Sequence, residues 1–560
     1  VLGQPPAAEQ LLDFLLLLTR LPNGEVPSLL ETVAAAQGYD YQSLLQDAGK
    51  VDARTGLTGG QLVDRCTAAA KEFLRSLAAV KFDTQAVPAC VAQQFGTDKT
   101  EAVSKVGTYI CTTVYPAIAR TTQEMSNAVR ALDGNYIEPG PSGAPTSGGA
   151  YLLPSGRNFF GVDPRNLPTP VAWKLGQDLG DAAITRFIAE EGRYPESVGI
   201  VLWSGANMRS HGQCVAEFLY LLGVKPVWQS GSQRVTGVTV LPLATLKRPR
   251  IDVTARISGL FRDTMPGVME LLDKAVLLVG NLQEKPEQNY IRKHLLEDSK
   301  ELTATGMAQE DAWRQAAYRI FGDELGTYGA GVAALLENKN WQTVDDIADV
   351  YVRWGAHAYG GKNRGQFLPQ IFKKRMSTID IAIKNEDNHE TNMLSSDDYN
   401  AYHGGMVATV RSIKGSAPKA YCGDSTNRDR VELHSVQEQA KRIFRSEAVN
   451  PKFIEGMMQH GYKGAADMAN YISHSFQWDA TSEVMDDWMY EKYAEKYTLD
   501  PQVQKWLREV NPWALQRMAA ILLEAEQREM WHAKPETKEA LQKIYLSIEG
   551  ELEDKNDEDD

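Results

Sequence analysis

Apolar residues recur at helical spacing through the first quarter of the chain, most clearly over 60–77 and 103–132, and predict a helical region over residues 1–135. The run Leu11-Leu12-Asp13-Phe14-Leu15-Leu16-Leu17-Leu18 is broken by a charge and stopped by Arg20. It is too short to cross a bilayer and reads as a buried amphipathic helix. The periodicity ends at 138–149, where Gly and Pro exclude helix and central strand and predict a long ordered loop.

The pattern then changes. Residues 198–203 form a continuous apolar run, 212–222 a helical stretch and 224–228 a second short apolar run. Strand, helix and strand in that order predict a parallel layer. Further strands are expected at 235–241 and 251–257, before a helix at 266–279. The expected fold class is therefore a multidomain α/β protein, mostly helical, with an open parallel α/β (Rossmann-like) domain flanked by helical regions. Its loop and α/β domain span 136–290. Residues 291–445 read as mixed but mainly helical around a polar segment at 385–405, and 446–550 as a helical C-terminal region. Residues 551–560 carry seven acidic residues against one lysine and predict a disordered, solvated tail.

Composition narrows the class. At 560 residues the chain exceeds what one core fills, so three or four domains are expected. The apolar share of 43% and charged share of 24% are those of a folded globular protein. The net charge of −14 disfavours nucleic acid as a partner, because that binding rests on Lys and Arg. Five cysteines without a CxxC pair point to a reducing, cytoplasmic setting with no disulfide framework. The opening Val1-Leu2-Gly3 resembles neither a start nor a signal peptide, and predicts an excised or processed chain.

Nucleotide and nucleophile motifs fail. The stretch 355–363 has an extra glycine before Lys362 and Asn363 where a phosphate-binding loop needs Ser or Thr, and no strand leads into a dinucleotide-binding turn. No cofactor is bound by motif in this chain. No nucleophile elbow is present either: Trp203-Ser204-Gly205 lacks the first glycine.

Three clusters remain. Asp387, His389, Glu390, Asp397, Asp398 and His403 fall within seventeen residues and mix ligand types suited to Co²⁺, Ni²⁺ or Zn²⁺, although a polar loop capping helices has the same composition. Asp252, Arg256, Ser258 and Arg262 lie where a predicted strand hands over to a helix, the edge at which open sheets bind ligands. The two arginines are candidates to clamp carboxylates; an Arg–Asp pair holding a turn is the bland alternative. Asn158 and Phe159 sit among conformational breakers and suit a flat macrocycle, or merely local packing. His460 is a weaker candidate still, near a predicted helix end.

These segments resemble the cobaltochelatase large-subunit (CobN) family and, more distantly, the porphyrin-binding subunit of magnesium chelatase. The resemblance runs from residues 2–6 and 20–29 through 132–137, 156–164, 258–263, 319–322 and 326–331 to 450–457 with 460–464. Its cobalt character rests on Ser396-Asp397-Asp398-Tyr399 and His403-Gly404-Gly405-Met406; Ser210-His211-Gly212-Gln213 departs from the family pattern. The resemblance implies the C-terminal part of a tetrapyrrole-binding subunit that inserts Co²⁺ into a corrin precursor, hydrogenobyrinic acid a,c-diamide, in cobalamin biosynthesis. It implies AAA+ motor subunits as partners, which bind Mg²⁺ and ATP. Under it Asp397, Asp398 and His403 deliver metal or accept protons, Asp387, His389 and Glu390 support them, Arg256 and Arg262 hold ring substituents, and Asn158 and Phe159 touch the ring. The alternatives are a magnesium or nickel chelatase subunit, or a non-catalytic tetrapyrrole scaffold.

Overall fold

The computed structural model describes residues 8–96, 100–146, 148–230, 232, 234–428 and 430–559. The segment 2–6 that opens the resemblance, Ser147 in the Gly/Pro loop and the last acidic residue lie outside them. Two compact units are present, Val1–Val162 with Asp387–Glu390, and Asp163–Glu386 with Thr391–Asp560.

The first unit is helical, as its periodicity predicts. Ala8–Thr19 buries Leu12, Leu15 and Leu18, and packs with Leu29–Ala36 and Gly59–Ala79 around Phe73, Leu74 and Leu77. Thr58 starts the longest of these helices with a capping box: its hydroxyl accepts from Gln61 N (3.3 Å) while the Gln61 side chain accepts from Thr58 N (2.9 Å). In the Gly/Pro-rich stretch, Pro139–Pro141 pairs in parallel with Asn158–Phe160 to form a two-stranded ribbon.

The second unit is built on one eight-stranded sheet: β1 (Ser197–Leu202), β2 (Asp252–Ile257), β3 (Ile320–Gly322), β4 (His357–Gly360), β5 (Asn363–Phe367), β6 (Ile381–Glu386), β7 (Lys419–Asp424) and β8 (Glu432–Ser435). Their spatial order is β8-β7-β6-β1-β2-β3-β4-β5. The five strands β7-β6-β1-β2-β3 run parallel, and β4, β5 and β8 add antiparallel edges. β1, β2 and β6 are buried along their whole length; only β1 is nearly all apolar, while β2 carries Asp252, Thr254 and Arg256 and β6 ends in Lys384, Asn385 and Glu386. From β1 the chain builds outward through β2 and β3, then returns to lay β6 on the other flank of β1. The winding therefore reverses between β1 and β6, and all five parallel strands end on one edge.

Several expectations are corrected. The sheet is mixed, and six of its eight strands come from the region 291–445 that reads as mainly helical. Short strands such as Ile320–Gly322 are too brief to show a period. The runs at 224–228 and 235–241 do not join the parallel layer; Val224–Trp228 and Val235–Val240 pair antiparallel with each other as a separate ribbon. Residues 357–367, where the phosphate-loop template fails in sequence, form the β4–β5 hairpin. The acidic end is the last part of the helix Pro535–Asp559: Leu541, Ile544, Ile548 and Leu552 form a buried stripe at helical spacing that carries the helix into the acidic stretch. All five cysteines are free and buried, and among the described residues no helix is long and apolar enough to cross a membrane.

Candidate functional site

The reversal of winding places the ends of β1 and β6 side by side, with Trp203 following β1, Ser258 following β2, Asp323 following β3, and Lys384, Asn385 and Glu386 closing β6. The crossover from β6 to β7 begins at this edge with the turn Asp397–Tyr399, passes through a π-helical segment Asn400–Gly404 and continues as Gly405–Lys414. A π segment here shifts the register of the helix that carries Tyr402 and His403.

At the centre of the edge is Lys384, a buried lysine where the apolar half of β6 gives way to polar residues. Its ammonium lies 3.7 Å from the centroid of the Tyr399 ring and 4.2 Å from that of Trp203, whose rings meet edge to face at 5.0 Å. The aromatic faces stabilise the desolvated cation. Asp398 keeps contact with solvent, yet the surrounding protein raises its carboxyl above the ordinary range, Asp397 raises it further and Lys384 partly offsets both. The arrangement pairs a carboxylate primed to accept a proton with a fixed positive charge.

Beneath this edge, Glu217 on the helix Gln213–Leu222 is fully buried, and burial pushes its carboxyl up to about 8 against a hydrogen bond from Asn385. Ser425, just after β7, donates to Gln213 (2.8 Å) and to the Glu386 carbonyl (3.0 Å), and Gln439 donates to the Glu386 carboxylate (2.7 Å). Gln213, which departs from the family pattern in sequence, thus has a place in a buried polar layer.

The structure reassigns four predicted site residues. Arg256 is completely buried, ion-paired with Asp323 at 2.7 Å, and donates to the Ile257 carbonyl (2.6 Å). Its guanidinium also lies over Tyr402 and Tyr351, and with the residue 0% exposed it is out of reach of a ring carboxylate. Arg262 pairs with Asp263 and donates to the carbonyls of Asp323 (3.3 Å), Glu324 (2.5 Å) and Thr327 (3.2 Å), pinning the loop after β3. Asp252 lies at the start of β2, on the opposite edge of the sheet, in a buried cluster: Arg319 donates to it twice (2.7 and 2.9 Å), and His294 Nδ1 lies 2.7 Å away. His403 is buried, with Nε2 3.1 Å from the Ala382 carbonyl and its ring edge-on to Trp478. Burial holds its pKa down to about 4, so it is a neutral histidine within the packed core.

Ser258 caps the helix Gly259–Thr264, accepting from Phe261 N at 3.2 Å. Asp397 and Asp398 therefore remain at the edge, with Lys384 and Trp203 as neighbours that the sequence reading missed. The signal for Lys384 was present: an apolar strand run, Ile381-Ala382-Ile383, that turns abruptly into Lys-Asn-Glu.

The other predicted residues belong to the first unit. Asn158 and Phe159 lie on its short ribbon, both exposed, Phe159 at 74%. Asp387–Glu390 packs with that unit, where His389 Nδ1 is 3.5 Å from Arg20 Nη2 and Glu390 accepts from the Thr146 hydroxyl at 2.7 Å. Among the described residues no three His, Cys, Asp or Glu side chains converge as a metal cage; of the predicted cluster, Asp387, His389 and Glu390 belong to the first unit and Asp397, Asp398 and His403 to the second. His460 is exposed and directly precedes the helix Gly461–Ser482.

Comparison with known proteins agrees along almost the whole chain. A CobN/magnesium chelatase family model matches residues 1–538. The aerobic cobaltochelatase subunit CobN of Pseudomonas aeruginosa is 37% identical over 565 aligned residues, covering 98% of this chain and 44% of that protein. An uncharacterised protein of Methanocaldococcus jannaschii is 40% identical over 555 residues, covering 99% of this chain and 44% of its own length. The solved catalytic subunit of cobaltochelatase from Mycobacterium tuberculosis superposes with a TM-score of 0.89 at 40% identity, covering 98% of this chain and 45% of that one. The chain thus spans less than half the length of these relatives. By sequence and by fold, it belongs to the CobN/magnesium chelatase family.

Proposed function

We propose that the chain is the C-terminal portion of the tetrapyrrole-binding large subunit of an ATP-dependent cobaltochelatase, with a corrin precursor such as hydrogenobyrinic acid a,c-diamide as the ring and AAA+ subunits as the motor. The observation that carries this reading is the similarity, over 98% of the chain, to the Pseudomonas cobaltochelatase subunit and to the Mycobacterium catalytic subunit. Insertion of a divalent metal strips water from the ion and releases protons from ring nitrogens. A proton acceptor works best when its pKa lies near the working pH, and the raised carboxyl of Asp398 moves in that direction. In this reading Asp398 takes ring protons with Asp397 beside it, and Lys384 keeps the pair from holding the cation too tightly. Asp387, His389 and Glu390 escort the incoming metal, which is substrate rather than resident, and Asn158 and Phe159 contact the ring.

The test uses the full-length subunit with its motor subunits and ATP. Spectra of hydrogenobyrinic acid a,c-diamide should change to those of the cobalt complex on adding Co²⁺, and Asp398→Asn should slow the change at least tenfold. Insertion of Mg²⁺ into a porphyrin with no Co²⁺ insertion would overturn the cobalt assignment. Tight ring binding without any insertion would make the chain part of a scaffold.

A further inference from the structure

Far along the second unit, a cleft of about 570 Å³ is lined by the turn residues Lys339, Trp341 and Gln342, by Glu524 and Arg528 at the end of Pro512–Gln527, and by Tyr545 of Pro535–Asp559. Nothing in the proposed chelatase chemistry uses it.

Its charged lining consists of Lys339, Arg528 and Glu524. The Glu524 carboxylate is 7% exposed and meets both cations, Lys339 Nζ at 2.7 Å and Arg528 Nε at 2.9 Å. Two cations share one carboxylate, so the wall carries surplus positive charge in a chain whose net charge is −14. Such a wall favours an anion.

The turn is built to present these groups. Lys339 follows Val332–Glu337 in the left-handed conformation, φ 56°, where a glycine is usual. Lys339 N donates to Leu336 O (3.1 Å) and Asn340 N to Leu335 O (3.2 Å), a complete Schellman ending that glycine would make with less strain. The Arg528 guanidinium lies 4.1 Å from the centroid of Trp341 and donates to the carbonyls of Trp341 (3.0 Å) and Lys339 (3.4 Å), which locks the turn.

Two lining groups lack partners among the described residues. The indole N–H of Trp341 is buried with no acceptor among the described residues. A smaller cavity of about 120 Å³ shares Lys339, Ala520 and Glu524 with the cleft and adds Gln477, which is 1% exposed and whose Oε1 is buried with no donor among the described residues. Buried polar groups in folded proteins are nearly always paired, so an orphan donor and an orphan acceptor in adjoining cavities call for a ligand that supplies both.

We propose that this cleft binds a carboxylate carried beside an amide, the chemistry shared by a free N-acylated acidic amino acid and an acidic peptide segment. The carboxylate meets Lys339 and the Trp341 N–H, the Trp341–Arg528 platform supports the ligand's carbon chain, and an amide N–H reaches Gln477.

The test labels the chain with 5-fluorotryptophan and assigns the Trp341 ¹⁹F resonance by its loss in Trp341→Phe. The probes are N-acetylglutamate and the tripeptide acetyl-Asp-Glu-Asp-amide. At least one should move the Trp341 resonance saturably. Lys339→Gly restores the residue the left-handed turn prefers, so this variant should melt no lower than the parent while its affinity falls about tenfold. Equal affinity for both probes identifies a free acid as the source of the ligand, and binding of the tripeptide alone identifies a peptide. A Trp341 resonance that neither probe moves, an affinity unchanged in Lys339→Gly, or equally tight binding of N-acetylglutamine amide, which carries no carboxylate, would overturn the proposal.

Discussion

The two edges of the central sheet are both rich in charge, and they differ in how completely that charge is used. At the edge where β2 begins, Asp252 lies among Arg319, Arg375 and His294, with Asp298 paired to Arg375 and Glu196 to Lys293. Burial alone would raise the Asp252 carboxyl, but Arg319 and His294 hold it well below the ordinary range. At the edge where the strands end, Asp398 meets solvent, Lys384 is held by aromatic faces, and Glu217 is kept protonated by burial. One edge satisfies its charges internally and serves the fold. The other leaves charges poised, and that is where chemistry is possible.

The largest expected effect breaks the saturated edge. Asp252→Ala leaves Arg319 and Arg375 buried without their shared carboxylate and should cost about 3–5 kcal/mol, read as a lowered midpoint in chemical denaturation. A loss below about 1 kcal/mol would mean that water or relaxation replaces the carboxylate and that the two edges are alike.

Next comes Glu217, by way of pH. Its folded-state pKa, about 8, is above the ordinary value of 4.5, so the unfolded chain sheds this proton first as pH rises. The wild type therefore loses stability between about pH 4.5 and 8, and beyond 8 the loss is complete. Glu217→Gln removes this dependence, and its stability advantage should grow across that window to roughly 2–5 kcal/mol. Thermal melts of both proteins from pH 5 to pH 9 check the sign; a gap that does not widen with pH would show that Glu217 is ionised when folded.

His403 gives the opposite slope. Its folded pKa, about 4, is below the ordinary 6.5, so its contribution is present above 6.5 and is lost as pH falls towards 4. His403→Ala should destabilise by about 2 kcal/mol at neutral pH through a lost hydrogen bond and a cavity. If metal insertion by the complete enzyme falls further than this loss of fold explains, His403 regains a direct role.

The smallest effect on stability is expected from Asp398→Asn, within about 0.5 kcal/mol, because the side chain reaches solvent. It is also the variant expected to slow metal insertion most, and that inverse relation to Asp252→Ala sharpens the contrast between the edges.

Much of the helical architecture was legible along the chain. The periods at 60–77 and 266–279 mark real helices, Gly59–Ala79 and Pro266–Gly280, and the apolar run at 198–203 and the strand expected at 251–257 mark β1 and β2. The family resemblance was legible too, because it rests on ordered local motifs. The site was harder. Arg256 and Arg262 look alike in sequence to ligand clamps, since a guanidinium that binds a carboxylate of the protein and one that binds a carboxylate of a ligand need the same residue. Asp252 and Ser258 are six positions apart, and nothing in their spacing tells that a strand separates them onto opposite edges of the sheet.

By itself, then, the sequence determined where many of the helices and the strands β1 and β2 form, through local periodicity and burial, and to which family the chain belongs. The tertiary structure decided which charges face one another. Strand order, the reversal between β1 and β6, and the pairing of Arg256 with Asp323 across 67 positions of chain are long-range facts. They arise because a buried charge must find an opposite charge, and the partner that satisfies it is chosen by packing, not by proximity in sequence.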